Sequence, residues 1–200
     1  QPTLENYKRI FTDESWYSGY INSLTYVLIN TVISISVALP AAYAFSRYRF
    51  PGRRALMLTF LLIYMFPLIL LIIPLFITMR VLGLLDTHLA LVLAHSTFSI
   101  PFATWMMTSY FDAIPRSLDE AALVDGCTPL GAMIKVVLPL ALPGVIATGI
   151  YIFITSWNEY LYGFLLLSAE KDLTLAVALG NFLSADDSPW ELLMATGFVY

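Results

Sequence analysis

Four long stretches of the sequence contain no charged residue, and they dominate its hydrophobic pattern. They are 32, 25, 25 and 23 residues long and cover residues 15–46, 55–79, 87–111 and 136–158. A helix needs about 20 apolar residues to cross the roughly 30 Å hydrocarbon core of a bilayer. We therefore predict four transmembrane helices, at residues 20–46, 55–81, 88–111 and 139–167.

A further apolar stretch begins at Trp190 and runs to Tyr200. We expect residues 190–200 to be the start of another span, and the chain to be truncated at both ends. Prolines interrupt the spans, where neighbouring helices can satisfy the carbonyls that proline frees. The resulting kinks suit a protein with a path through it better than a simple anchor. These prolines are Pro40, Pro67, Pro74, Pro101 and Pro143.

Composition excludes several function classes. Apolar residues make up 59% of the chain and charged residues 12%, against about 25% charged in soluble domains, which argues against a water-soluble enzyme. The net charge of −4 provides no basic patch for nucleic acid. With one cysteine and two histidines, the chain offers no disulfide scaffold and no metal-ligand spacing. It also lacks the Gly-x-Ser-x-Gly turn expected of a serine-type intramembrane protease.

The charged residues predict the orientation in the membrane. Arg47, Arg49, Arg53 and Arg54 surround the turn between the first two spans, and such clusters favour the cytoplasmic side. Alternation then places residues 112–138, the long loop, in the cytoplasm as well. The inside loops contain six basic and four acidic residues, whereas the outside segments contain four basic and nine acidic residues.

The long loop has the local chemistry of two short helices. Ser117 and Glu120 have the spacing of a capping box, which predicts a helix from Leu118 to Asp125. Gly126 suits the left-handed position after a helix end. Thr128 followed by Pro129 predicts a second N-terminus, for a helix from Pro129 to Leu138.

Glu159 is an acidic residue inside the fourth predicted span, which by default suggests a functional site. On a continuous helix it would share a polar and aromatic stripe with neighbouring hydroxyl and amide groups. Such groups suit sugars, and we predict a substrate path formed by Tyr151, Thr155, Asn158, Glu159 and Tyr162. A structural pairing of Glu159, or a position near the outer interface, is the alternative.

The long loop also carries a spaced motif. It is Glu120-Ala121-Ala122, three residues, Gly126, nine residues, and then Val136-Val137-Leu138-Pro139. This pattern resembles the EAA loop of ABC importer permeases, which has the same spacing and ends in I-x-L-P. The departures are Val136 in place of the usual isoleucine, and Cys127 where alanine is common.

Other stretches are similar to the maltose-type (MalG-like) carbohydrate branch of that family. They are Leu4-Glu5-Asn6-Tyr7, the run from Ala41 to Arg47 followed by Phe50-Pro51-Gly52, Met65-Phe66-Pro67, and Trp157-Asn158-Glu159. The resemblance implies a single all-α permease domain over residues 1–200, a polytopic transmembrane bundle of the type I ABC importer (MetI-like) kind. It also implies a location in a prokaryotic inner membrane.

By the same resemblance, the long loop is the element that docks on a cytoplasmic ATPase dimer. The residues expected to couple the two subunits are Glu120, Ala121, Ala122, Asp125, Gly126, Leu138 and Pro139. The further partners implied are a second homologous permease, an extracytoplasmic solute-binding protein and its sugar. We expect ATP and Mg²⁺ to bind the ATPase and not this chain, because no Gly-Lys pair of a P-loop occurs in it.

Two alternatives to sugar import stay open. One is an ABC permease for another polar solute, such as a phosphorylated polyol or an amino acid. The other is an ion-coupled secondary transporter that uses Glu159 and His95. An ion-driven carrier has no need of a coupling loop, so the loop favours the ABC importer.

Overall fold

A computed structural model of the protein describes residues 4–183 and 190–200, in which every regular element is helical. The chain forms two compact units. The first comprises residues 1–29, 68–94 and 155–200, and the second comprises residues 30–67 and 95–154.

Twelve α-helices follow one another along the described chain. They are α1 (Glu5–Thr12), α2 (Glu14–Arg47), α3 (Arg53–Met65), α4 (Ile72–Val81), α5 (His88–Asp112), α6 (Arg116–Val124), α7 (Pro129–Ala132), α8 (Leu138–Leu140), α9 (Leu142–Trp157), α10 (Leu161–Leu166), α11 (Leu175–Leu183) and α12 (Trp190–Val199). Turns of 3₁₀ helix cover Leu68–Leu71 and Glu170–Asp172, and a π-helical turn, Met133–Val137, joins α7 to α8.

Within the described residues, two helices are long and apolar enough to cross a membrane without a break. They are Tyr17–Arg47 within α2, and α5. Pro40 and Pro101 lie inside them without ending either helix. Up to four spans result if each of two bent helix pairs is counted as one span.

The second predicted span, 55–81, is not one helix. Its two parts, Arg53–Met65 and Leu68–Val81, meet at an angle of 95°. The break falls at Phe66, which is extended (φ −71°, ψ 134°) because the ring of Pro67 disfavours helical backbone in the residue before it.

The fourth predicted span, 139–167, is also divided. The helical stretch Pro129–Leu140 and α9 meet at 79°, since the chain bends at Ala141. At its other end α9 stops at Trp157 and α10 starts at Leu161, so that three residues lie outside any helix.

In the first unit, α1 packs on α12. Their shared core contains the buried Ile10 together with Leu192, Leu193 and Ala195. The first part of α2 is hydrogen-bonded to the segment before α11: the Asn22 amide donates to the carbonyls of Lys171 and Leu173 at 2.8 and 3.0 Å.

In the second unit, α2 packs on α5 through small and polar side chains. The Asn30 amide donates to Ser99 Oγ at 3.3 Å and accepts from Ser96 Oγ at 3.1 Å. Ala38 and Ala103 are fully buried with Ile152 of α9. Small residues and interhelical hydrogen bonds are the usual means of helix association in lipid.

Candidate functional site

The first helix of the long loop begins earlier than the sequence predicted, and the capping box is wrong. α6 starts at Arg116 after Pro115, and its N-terminus has no side-chain cap. Pro115 (φ −57°, ψ 134°) occupies the N-cap position, so the first turn includes Ser117. The Ser117 hydroxyl is therefore not at the N-cap position, and Glu120 lies beyond the first turn, whose N–H groups are the ones that need a cap.

The turn between α6 and α7 confirms two predictions. Gly126 has a φ of +87°, the left-handed conformation that glycine adopts without strain. The N–H of Gly126 donates to the Leu123 carbonyl at 3.1 Å, and that of Cys127 donates to the Ala122 carbonyl at 2.9 Å. Thr128 Oγ1 accepts from the Gly131 N–H at 3.1 Å and caps α7. The loop is therefore an ordered helix–turn–helix.

The two alanines of the motif face opposite ways. Ala121 is exposed together with Glu120, Asp125 and Gly126, whereas Ala122 is only 5% exposed. Of these two expected coupling residues, Ala122 therefore packs inward, and only Ala121 lies on the exposed face. Val124 at the tip is 88% exposed, so the outer face combines acidic groups with a bare apolar side chain.

The chain after the turn packs against the ends of α2 and α5. Met133 and Val137 of the π-helical turn share a buried cluster with Ala141, and it also contains Ala42, Tyr43, Met107 and Phe111. Leu138 is half-buried and Pro139 is exposed. The end of the EAA-like motif therefore lies where the loop joins α9, and the motif spans the whole hairpin from its acidic face to just before the bend at Ala141.

Beneath α6 lies an ion pair that the sequence did not reveal. Arg47 Nε lies 2.9 Å from Asp119 Oδ2, and the two side chains are 7% and 11% exposed. The Tyr43 hydroxyl donates to Asp119 Oδ1 at 2.7 Å. Both charges were counted only as solvated loop residues, and nothing in a single sequence pairs residues so far apart.

The rest of the Arg47 guanidinium binds backbone carbonyls. Nη1 donates to the Phe111 carbonyl at 3.0 Å and Nη2 to the Ile114 carbonyl at 3.1 Å. Arg116 donates to the Ser46 carbonyl at 2.6 Å. The end of α2 is thus tied both to α6 and to the end of α5.

The predicted substrate stripe does not exist as one helical face, because α9 ends at Trp157. Tyr151 lies in the second unit, where its ring stacks on Phe102 at a centroid distance of 4.3 Å and its hydroxyl is hydrogen-bonded to Tyr64. The other four residues lie in the first unit: Thr155 is half-buried and Asn158 exposed, while Glu159 and Tyr162 are buried.

Glu159 occupies the break between α9 and α10. Its carboxylate accepts from the N–H of Tyr162 at 2.8 Å and from that of Gly163 at 3.1 Å. Glu159 therefore caps the start of α10. The sequence did not predict this role, because the Leu-Tyr-Gly segment that begins α10 has no N-cap signature.

Comparisons with known proteins agree with this architecture. Residues 15–199 match the family described as "Binding-protein-dependent transport system inner membrane component". The inner membrane ABC transporter permease protein YcjP of Escherichia coli is 37% identical over 100% of this chain and 72% of its own length. The trehalose transport system permease protein SugB of Mycobacterium tuberculosis is 42% identical over 90% of this chain and 66% of its own length.

A solved structure extends the likeness to the fold. In the crystal structure of a bacterial ABC transporter that imports the acidic polysaccharide alginate, one chain is 30% identical, with a TM-score of 0.79 over 94% of this chain and 67% of that chain. The all-α fold is thus of the type I ABC importer (MetI-like) kind. The chain belongs to the family of inner membrane components of binding-protein-dependent transport systems, the permeases of ABC importers.

Proposed function

We propose that this permease moves a sugar or oligosaccharide, delivered by an extracytoplasmic solute-binding protein, across the inner membrane. The observation that carries the transport part is the α6–turn–α7 hairpin, an ordered element in which Thr128 caps α7 and the outer face is acidic and apolar. The sugar part is supported by relatives named for the transport of trehalose, maltodextrin and sulfoquinovosyl glycerol.

The outer face of the hairpin is the surface proposed to dock on the ATPase. Glu120 and Asp125 offer carboxylates to basic residues of a partner, and Ala121 leaves room for close approach. Gly126 sets the angle between α6 and the chain after the turn. Ala122 supports this face from below, and Leu138 and Pro139 lead from the hairpin into the bend before α9.

We further propose that the chain is a transport subunit without enzymatic activity of its own. A dimer of ATP-binding subunits would hold ATP and Mg²⁺ and supply the energy. A second homologous permease would complete the path, and alternating access would be a rocking of the two halves.

For the substrate path, the proposed contacts are taken unit by unit: Tyr151 in the second unit, and Thr155, Asn158 and Tyr162 in the first. The hydroxyl, amide and aromatic groups among them fit the hydroxyl edges and apolar faces of a sugar ring. Glu159 is proposed to act by holding the break between α9 and α10, since its carboxylate already accepts two backbone N–H groups.

The test is reconstitution of the full transporter in proteoliposomes with radiolabelled trehalose and maltotriose as probes. We expect uptake that needs both ATP and the solute-binding protein. Uptake driven by a proton gradient without ATP would instead support the secondary-transporter alternative. Transport of an amino acid such as histidine, but of neither sugar, would overturn the assignment of substrate class.

A variant pair tests the docking face in the same assay. Glu120→Ala should lower both uptake and binding-protein-stimulated ATP hydrolysis. Glu170→Ala removes an exposed glutamate outside the long loop and should leave both rates at the wild-type level. If Glu120→Ala also retained both rates, the docking role of Glu120 would be wrong.

A further inference from the structure

Arg47 connects three elements of the second unit. It is the last residue of α2, and its Nε pairs with Asp119 of α6 at 2.9 Å. Its two terminal nitrogens donate to the carbonyls of Phe111 and Ile114, at the end of α5 and just after it. The two terminal nitrogens therefore make directional hydrogen bonds, whereas the Nε contact with Asp119 is an ion pair by distance, without hydrogen-bond geometry.

Asp119 contacts two residues of α2. One carboxylate oxygen pairs with Arg47 and the other accepts from the Tyr43 hydroxyl at 2.7 Å. Asp119 is adjacent in the chain to Glu120, whose side chain lies on the exposed face of the same helix. A single helix therefore carries the proposed docking acid outward and the ion-paired acid inward.

Stability alone is a weak reason for such a pair. A buried ion pair is often no more stabilising than well-packed apolar residues, because both charges lose their hydration. What it does provide is a fixed register between two elements. Here the elements are the α6 helix and the end of α2, one of the two unbroken spans.

We propose that the Arg47–Asp119 ion pair transmits the displacement of α6 to α2 during transport, so that both are positioning residues for the coupling of ATP hydrolysis to transport. This inference rests on the proposed function. When the ATPase moves α6 through its outer face, the guanidinium carries the end of α2 along, and Ser46 follows through its carbonyl bond to Arg116.

The test uses Arg47→Gln, Asp119→Asn and the double variant in the complete transporter. Each single variant leaves one buried charge unpaired and is expected to reduce the amount of assembled complex. The double variant carries two neutral amides, which can still hydrogen-bond, and is expected to assemble. Arg54→Gln removes an exposed arginine at the start of α3 and is the matched control.

The first readout is the stimulation of ATP hydrolysis by the solute-binding protein in assembled complexes. We expect the stimulation to be about 2- to 30-fold weaker in the double variant than in the wild type. This is the usual range for residues that transmit coupling without touching a ligand. The unstimulated rate and the Arg54→Gln complex should stay at wild-type values. Recovery of full stimulation in the double variant would show that the pair is only structural and would overturn the proposal.

The second readout is the distance between α6 and α2. Cys127 is the single cysteine, so a Cys127→Ser background allows spin labels at Ser117 and at Val37, both of which are exposed. In the labelled transporter that retains Arg47 and Asp119, the distribution of distances between the two labels should be the same without nucleotide and with ATP and vanadate. In the double variant, it should differ between the two states; an unchanged distribution there would contradict the proposal.

Failure of the proposed function and failure of the ion-pair inference give different results. If the wild-type transporter shows no ATP hydrolysis that responds to the binding protein, the proposed function fails and the inference falls with it. If the wild-type and double-variant complexes respond equally, the proposed function stands and only the inference is overturned.

Discussion

The carboxylate of Glu159 accepts a hydrogen bond from the backbone N–H of Tyr162 at 2.8 Å. Its other oxygen accepts from the N–H of Gly163 at 3.1 Å, and the residue is 8% exposed. The first N–H groups of a helix have no partner within the helix and need one from outside it. An acidic residue in an apolar segment therefore has a structural task here, and a direct contact with substrate would compete with it.

Glu159→Gln is expected to destabilise the permease without changing its apparent affinity for sugar. Glutamine keeps one acceptor oxygen but loses the second, and an N-terminal cap contributes about 1 kcal/mol. The measurements are the thermal unfolding of the detergent-purified transporter, and sugar-dependent ATP hydrolysis at graded trehalose concentrations. A weakened apparent affinity with unchanged thermal stability would instead show that Glu159 contacts the substrate.

The adjacent alanines of the EAA-like motif should respond in opposite ways to enlargement. Ala122→Leu forces a larger side chain into a packed site, which typically costs about 1–3 kcal/mol, so the yield of folded permease should fall. Ala121→Leu enlarges an exposed position and should leave folding intact while weakening retention of the ATPase. Thermal unfolding and co-purification of the ATPase distinguish the two effects. The same loss of stability in both variants would contradict the opposite orientations of the two side chains.

Thr128 should matter through its hydroxyl. Thr128→Ala removes the acceptor for the Gly131 N–H and is expected to cost about 1 kcal/mol of local stability. Amide hydrogen exchange should accelerate at Gly131 and in the turn, while α9 remains protected. Thr128→Ser retains the acceptor and should exchange as the wild type does; equally fast exchange in both variants would exclude the capping role.

The sequence predicted the loop's turn well because turn chemistry is local. Gly126, Thr128 and Pro129 act within four residues of their own positions, through a positive φ or a bond to a nearby backbone N–H. The start of α6 was missed because Pro115 competes with Ser117 for the same end of the helix. Local signals of similar strength cannot be ranked without the packing around them.

The contacts between distant residues were not predictable. Arg47 and Asp119 belong to different helices, and charge counting assigned both to solvated loops. The break at residues 158–160 was hidden for another reason, since an apolar run has the same composition whether its helix is straight or broken. Pro67 signalled the break at Phe66, but nothing comparable marked the break at residues 158–160.

Gly144 should not tolerate a methyl group. A Cβ built there would lie 2.6 and 2.7 Å from Cδ1 and Cδ2 of the Tyr110 ring, which is closer than carbon atoms pack in folded proteins. Because these atoms lie near the base of the Tyr110 side chain, α5 and α9 would have to separate. Gly144→Ala should therefore destabilise the permease by about 1–3 kcal/mol, as overpacking usually does.

The matched control for this prediction is Gly197→Ala in α12. No atom lies within 4 Å of a Cβ built at Gly197, and alanine is favoured over glycine inside a helix by about 0.5–1 kcal/mol. The melting temperature of the purified transporter should therefore fall for Gly144→Ala and stay level or rise for Gly197→Ala. A melting temperature unchanged by Gly144→Ala would mean that Tyr110 moves aside at little cost, and that α5 and α9 are not held at the close approach that Gly144 allows.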